Sequence, residues 1–143
     1  MSSINGVNLE DAKKVTTYDH AGNVNGFLIE MFKDGKKTAV YLSAALPGAF
    51  KGYHLHRVRA ANYICLKGKM KLILYKNKQR EEYILDALNP QRLRIPNNIA
   101  TGLENIGAEE GWLVNFPDPA YDPYLKDEQV EYTEEELEAG IVK

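Results

Sequence analysis

The feature that most limits the fold of this chain is the brevity of its apolar runs and the regularity with which turn residues cut them. Lys69 to Tyr75 sets the pattern. Met70, Leu72 and Leu74 fall on one face and Lys69, Lys71 and Tyr75 on the other, the period-2 alternation of a half-buried strand. Strands of this kind are expected at 26–33, 38–44, through His54 and His56, and at 62–66, 69–75, 82–85, 92–95, 100–105 and 111–116. Asp34-Gly35 lies between the first two as a hairpin signal. Short strands with such punctuation predict an all-β sandwich or barrel, a single domain over residues 1–143. The tail departs from the pattern. Residues 118–123 read as irregular chain, and Thr133-Glu134-Glu135-Glu136 offers a capping box for a short helix ending near Gly140.

Charge and cysteine usage narrow the setting. With 18 basic and 20 acidic side chains the formal charge is −2, so no nucleic-acid partner is expected. The one cysteine, Cys65, cannot form an internal disulfide, which fits a reducing compartment. Met1 to Gly6 lacks the basic stretch and apolar run of a secretory leader. No apolar stretch approaches the roughly 20 residues that cross a bilayer. A cytoplasmic protein without a membrane partner is the expectation.

His54 and His56 carry the chemistry. Spacing of two on a strand sets both imidazoles on one face, either as a metal site or as a base with a helper, or else as two polar groups on a solvated surface. Their place in the middle of a β domain favours the functional reading.

These residues also carry a family resemblance. His54-Leu55-His56, then Ala61, then Gly68 resembles the first cupin motif, and Pro96 to Asn105 resembles the second. A metal-binding cupin carries Glu where this chain has Ala61 and His where it has Thr101, so the resemblance implies no metal. Gly26 to Phe32, Val40-Tyr41-Leu42-Ser43, Lys51-Gly52-Tyr53-His54 and Ile95 to Leu103 are similar to segments of the dTDP-4-dehydrorhamnose 3,5-epimerases. That family's lysine falls on Ala61, its second histidine on Thr101 and its tyrosine acid on Val114, and the aspartate of its His–Asp pair has no counterpart. Lys51-Gly52-Tyr53-His54-Leu55-His56, with Tyr41 on the preceding strand, resembles the dTDP-sugar 3,4-ketoisomerases.

The resemblance implies a cupin jelly roll with a short C-terminal helix, assembled as a homodimer. It implies an isomerase or epimerase acting on a nucleotide-linked 4-keto-6-deoxy sugar without metal or other cofactor, in polysaccharide or glycan precursor biosynthesis. His54 is the expected base, His56 its partner, and Tyr41 or Tyr63 the proton donor. Lys51, Phe27, Glu30 and Asn105 are the expected substrate-binding positions. The competing reading is a cupin that binds a sugar or sugar nucleotide without catalysis. Tyr63 shares the parity of Ala61 and Cys65 and is expected to point inward, whether as packing or as acid. Arg57 and Arg59 are expected as surface or interface groups turned from the histidine face, Cys65 and Trp112 in the core, and His20 in a loop.

Overall fold

The computed structural model describes residues 14–33, 39–119 and 122–143, with backbone alone at 30–33. The hairpin signal at Asp34-Gly35 lies outside them. Eleven strands run in order: β1 (Lys14–Tyr18), β2 (Val24–Lys33), β3 (Ala39–Ala45), β4 (Phe50–His56), β5 (Ala61–Lys67), β6 (Lys69–Lys76), β7 (Gln79–Asp86), β8 (Arg92–Ile95), β9 (Ala100–Asn105), β10 (Gly111–Asn115) and β11 (Gln129–Glu131). Helix α1 (Glu134–Glu138) follows. The nine strands read from the alternation pattern are all present. The edge strands β1 and β11 are additional, because their few residues bury too little to leave a periodic signature.

Two antiparallel sheets face one another, in the orders β1-β2-β3-β10-β5-β8 and β11-β4-β9-β6-β7. This is the cupin jelly roll. Its core lies at one end, where Ala45, Cys65, Met70, Leu72, Leu85, Leu103 and Leu113 interlock between the sheets. Met70, Leu72 and Leu74 are buried as the alternation requires, and so is Cys65. Burial raises the pKa of the Cys65 thiol, as suits an inert core residue.

On the outer face of the five-stranded sheet a second cluster of Tyr53, Ile73, Tyr75, Ala100, Tyr132 and Leu137 seats the helix. The capping box forms, with the Glu136 amide donating to Thr133 Oγ1 at 3.2 Å and the Thr133 amide donating to Glu136 Oε1 at 2.9 Å. Tyr53 and Tyr75 both donate to Glu134 Oε1, at 3.2 and 3.1 Å, which ties the first turn of α1 to the sheet.

Trp112 departs from expectation. It lies on the outer face of its sheet, half-buried, with Nε1 donating to Glu110 Oε1 at 3.0 Å and Lys67 above its ring. Strand parity explains this, since its neighbour Leu113 takes the inward position in the core.

Candidate active site

The open end of the sandwich holds a cavity of about 500 Å³. Lys51, His54 and His56 from β4 and Thr101 and Leu103 from β9 form one wall. Leu28, Tyr41, Ser43, Tyr63, Leu113 and Asn115 from the other sheet form the opposite wall, and Val15 and Thr17 extend it from β1. Paired imidazoles therefore face paired phenols across the cavity.

A bulge in β4 makes this wall. Lys51 pairs with Leu103 and His54 with Thr101, so three steps on β4 match two on β9. The extra residue reverses strand parity. Phe50 and Tyr53 turn outward, while Lys51, His54 and His56 all reach the cavity. Gly52 sits at the bulge with φ +121°, where a Cβ would lie 2.7 Å from the Thr101 carbonyl oxygen, so only glycine fits.

His56 has a built environment. Its Nδ1 lies 3.1 Å from both Glu128 oxygens, and Glu128 is also bound by the Arg59 guanidinium. The carboxylate is 7% exposed. Burial alone would raise its pKa, yet the bonds from Arg59 and His56 hold it below the usual carboxylate range. The ring of His56 is held below the ordinary imidazole value by burial and then by Arg59, with Glu128 opposing. His54 is looser. Gln129 Nε2 lies 3.3 Å and Glu131 Oε1 3.5 Å from its Nδ1. Burial lowers its pKa, and Glu131 opposes this only in part. Both rings are thus neutral, and able to accept a proton, at physiological pH.

On the facing wall, burial pushes the Tyr63 phenol up to about 12, with Arg59 opposing. Tyr63 therefore keeps its proton for donation. Tyr41 lines the same wall and pairs in register with Glu30 and Asn115. Lys51 donates to the Ala44 carbonyl at 2.7 Å, Ser43 Oγ at 3.2 Å and the Phe27 carbonyl at 3.4 Å. Burial pushes its ammonium down to about 8. Lys51 reaches the cavity, but its donors are spent on pinning β4 to β2 and β3.

Other expectations are corrected here. Asn105 does not line the cavity. It is 1% exposed, and its amide donates to the carbonyls of Ala45 at 2.9 Å and Glu109 at 2.8 Å while accepting from the Gly107 amide at 2.9 Å. Every polar atom of its side chain serves the fold. Phe27 neighbours the inward Leu28 and so faces away from the cavity, with Lys14 Nζ 4.4 Å from its ring centre. The Glu30 side chain lies outside the described residues. Arg59 is not a surface group but a lining residue beside His56, because β4 ends at His56 and the alternation that turned Arg59 outward ends with it. Val114 also faces away, and its neighbours Leu113 and Asn115 line the wall. A carboxylate partner for a cavity histidine does exist, on β11's flank and not on a further C-terminal segment. Glu128 and Gln129 escaped the sequence reading, although the alternation Gln129-Val130-Glu131-Tyr132 is a faint strand signal.

Of the positions where a metal-binding cupin keeps ligands, two are filled by an alanine methyl and by Thr101, whose Oγ1 turns to the Ile99 carbonyl at 3.5 Å. Among the described residues no group of three or more His, Cys, Asp or Glu side chains is arranged to hold a metal ion. A second hollow, about 490 Å³, opens beside α1 on the outer face. The lysine and the arginine that line it are both paired. Lys71 lies 3.6 Å from both Glu82 and Glu104, and Arg80 lies 2.7 Å from Glu82.

Comparison with known proteins agrees with the architecture. Residues 21–129 match the family described as the polysaccharide biosynthesis C-terminal domain. Over 118 residues, 73% of this chain and 76% of the relative, the sequence is 26% identical to a protein of Haloferax volcanii named as a probable low-salt glycan biosynthesis epimerase, Agl13. Among solved structures, the capsular polysaccharide assembling protein CapF of Staphylococcus aureus superposes with a TM-score of 0.70 at 18% identity, covering 82% of this chain and 31% of CapF. The chain thus spans about a third of that protein. A mutant of Bacillus subtilis oxalate decarboxylase superposes at 0.61 with 14% identity, over 80% of this chain and 29% of that one. At these identities the two structures speak for the fold alone. Among the described residues, no helix is long and apolar enough to cross a membrane.

Proposed function

Because this chain belongs to the polysaccharide biosynthesis C-terminal domain family, we propose that it is a sugar epimerase of glycan biosynthesis, acting in the cytoplasm on a nucleotide-linked keto sugar. The observation that carries the reading is the disposition of His54 and His56 on one wall of the cavity and Tyr41 and Tyr63 on the other. Inverting a carbon beside a carbonyl requires a base on one face of the sugar and an acid on the opposite face. Neutral imidazoles suit the first task and a phenol held protonated by burial suits the second. An alanine at one cupin ligand position and a threonine at another support a reaction that relies on side chains, not on a bound ion.

Assembly as a homodimer is part of the same reading. Ile29, Leu42, Val114 and Ile64 stand in register across β2, β3, β10 and β5 on the face turned from the cavity. Leu42 and Val114 are buried within the chain, and the partly exposed Ile29 and Ile64 at the two ends of the row are the surface a self-complementary contact would cover.

The test is deuterium incorporation from heavy water into dTDP-4-keto-6-deoxyglucose, with stereochemistry followed by NMR. Wild-type protein should exchange the proton beside the carbonyl and invert that carbon. Tyr63→Phe should slow inversion by about 10²-fold or more while exchange persists. A protein that binds the nucleotide sugar yet exchanges no deuterium is a sugar-binding cupin without catalysis.

A further inference from the structure

The two histidines stand side by side but meet different partners, and the difference sets which nitrogen of each ring holds the proton. Resting on the proton-transfer reading above, we propose that His56, oriented by Glu128, is the base, and that His54, oriented by Gln129, is a neutral hydrogen-bond donor to the substrate's carbonyl oxygen. Glu128 and Gln129 are positioning residues.

For His56, both Glu128 oxygens lie 3.1 Å from Nδ1. A lone pair on Nδ1 would face a carboxylate and be repelled, whereas an N–H there donates to it. In the neutral ring the lone pair then resides on Nε2. The Arg59 guanidinium also comes within 3.1 Å of Nδ1 and, carrying only donors, pulls the other way, but two oxygens of a carboxylate that its own salt bridge keeps ionised outweigh that one contact. The carboxylate in turn stabilises the imidazolium that forms when Nε2 takes a proton.

For His54 the polarity reverses. The Gln129 amide nitrogen, a donor, lies 3.3 Å from Nδ1. Glu131 is the competing acceptor, but it stands farther off at 3.5 Å, and its 60% exposed side chain leaves its charge screened by water. Nδ1 therefore accepts, and the ring proton sits on Nε2. The other charged groups near His54 are His56, His20 and Lys51, and each of them disfavours an imidazolium. A neutral N–H is what remains to polarise a carbonyl, a role that imidazole can fill.

The chemistry balances with no further reactant. His56 Nε2 takes the proton from the carbon beside the carbonyl. The electrons of that C–H bond become the new C=C bond, and the carbonyl π pair moves onto oxygen. The oxyanion rests against His54 Nε2–H, which keeps its proton. Positive charge on His56 beside Glu128 matches the negative charge on the enolate. Return of a proton to the same carbon from the opposite face, from a phenol of the other wall, completes inversion, and solvent then takes the proton from the His56 imidazolium and returns one to the phenolate.

Nitrogen-15 NMR of the histidine-labelled full chain, at a pH above the imidazole range, reads the tautomers without substrate. His56 should carry its proton on Nδ1 and His54 on Nε2. The same proton position in both rings overturns the proposal and leaves the epimerase reading standing. With dTDP-4-keto-6-deoxyglucose in heavy water, His56→Gln should lose about 10²-fold or more in exchange, because an amide cannot take up the proton. His54→Gln, which keeps an N–H donor, should stay within roughly 10-fold of wild type. Equal losses overturn the division of roles. Glu128→Gln should move the acidic limb of the exchange–pH profile to lower pH, since the group opposing the depression of His56 is gone, and Glu128→Asp should move it part of the way back. An unmoved profile overturns the role of Glu128. Opposite tautomers in a protein that never exchanges deuterium refute the reaction itself, and the assigned roles with it.

Discussion

Replacing Lys51 by methionine isolates the energetic cost of a half-buried ammonium. Its pKa is pushed from the ordinary 10.5 to about 8 because burial strips water from the charge. The folded state therefore releases this proton at lower pH than the unfolded chain does. Between about pH 8 and 10.5 the unfolded chain holds more protons, so stability must rise with pH across that window. At about 1.4 kcal/mol per pH unit the full gap corresponds to about 3 kcal/mol, and partial solvation of the side chain reduces this to about 2 kcal/mol. Urea titrations at about pH 7.5 and about pH 10.5 on wild type and Lys51→Met supply the comparison. Other groups titrating in this range, the buried tyrosines among them, cancel in the difference. The stability of wild type relative to the variant should increase by about 2 kcal/mol on going to the higher pH. A flat or falling difference would refute the argument and would mean that the three acceptors around the Lys51 ammonium hold its charge as well as water does.

Two further outcomes are expected. Asn105→Ala should cost about 3 kcal/mol, because the buried Ala45 carbonyl and the partly buried Glu109 carbonyl and Gly107 amide lose their partner. Thermal denaturation should show a Tm lower by on the order of 10 °C, while titration calorimetry finds nucleotide-sugar affinity unchanged in the folded fraction. Ile64→Glu introduces a charge into the apolar row of the outer face. Sedimentation velocity should find wild type as a dimer and the variant as a monomer, and a monomeric wild type at micromolar concentration would refute the assembly.

What could be read from sequence was whatever depends on near neighbours. The alternation of Met70, Leu72 and Leu74 located a strand and its buried face. The spacing of His54 and His56 put both rings on one wall, and the parity of Ala61, Tyr63 and Cys65 turned Tyr63 inward. What could not be read depends on partners far along the chain or on a break in regularity. Nothing local announces that Glu128 will reach a ring 72 residues away. The bulge at Gly52 reverses parity for Lys51, and a strict count of two from His54 would have turned that lysine outward. Asn105 sits in a family-like motif beside a cavity strand, yet it is spent on closing a turn, because a buried amide with three backbone neighbours satisfies them first. Arg59 lay just past the end of β4, where the period of two no longer applies.

Strand β11 has a consequence for how the protein comes into being on the ribosome. His54 and His56 are made well ahead of their partners, Glu128 following His56 by 72 residues, with Gln129 and Glu131 just after it. Until they arrive, β4 is a bare edge in the growing five-stranded sheet, open to pairing with any other extended chain nearby. Strand β11 therefore does two jobs at once. It closes an edge on which nascent chains would stick together, and it supplies the partners of both histidines. Chains released before Gln129 should consequently be found in aggregates rather than as soluble, inactive domains.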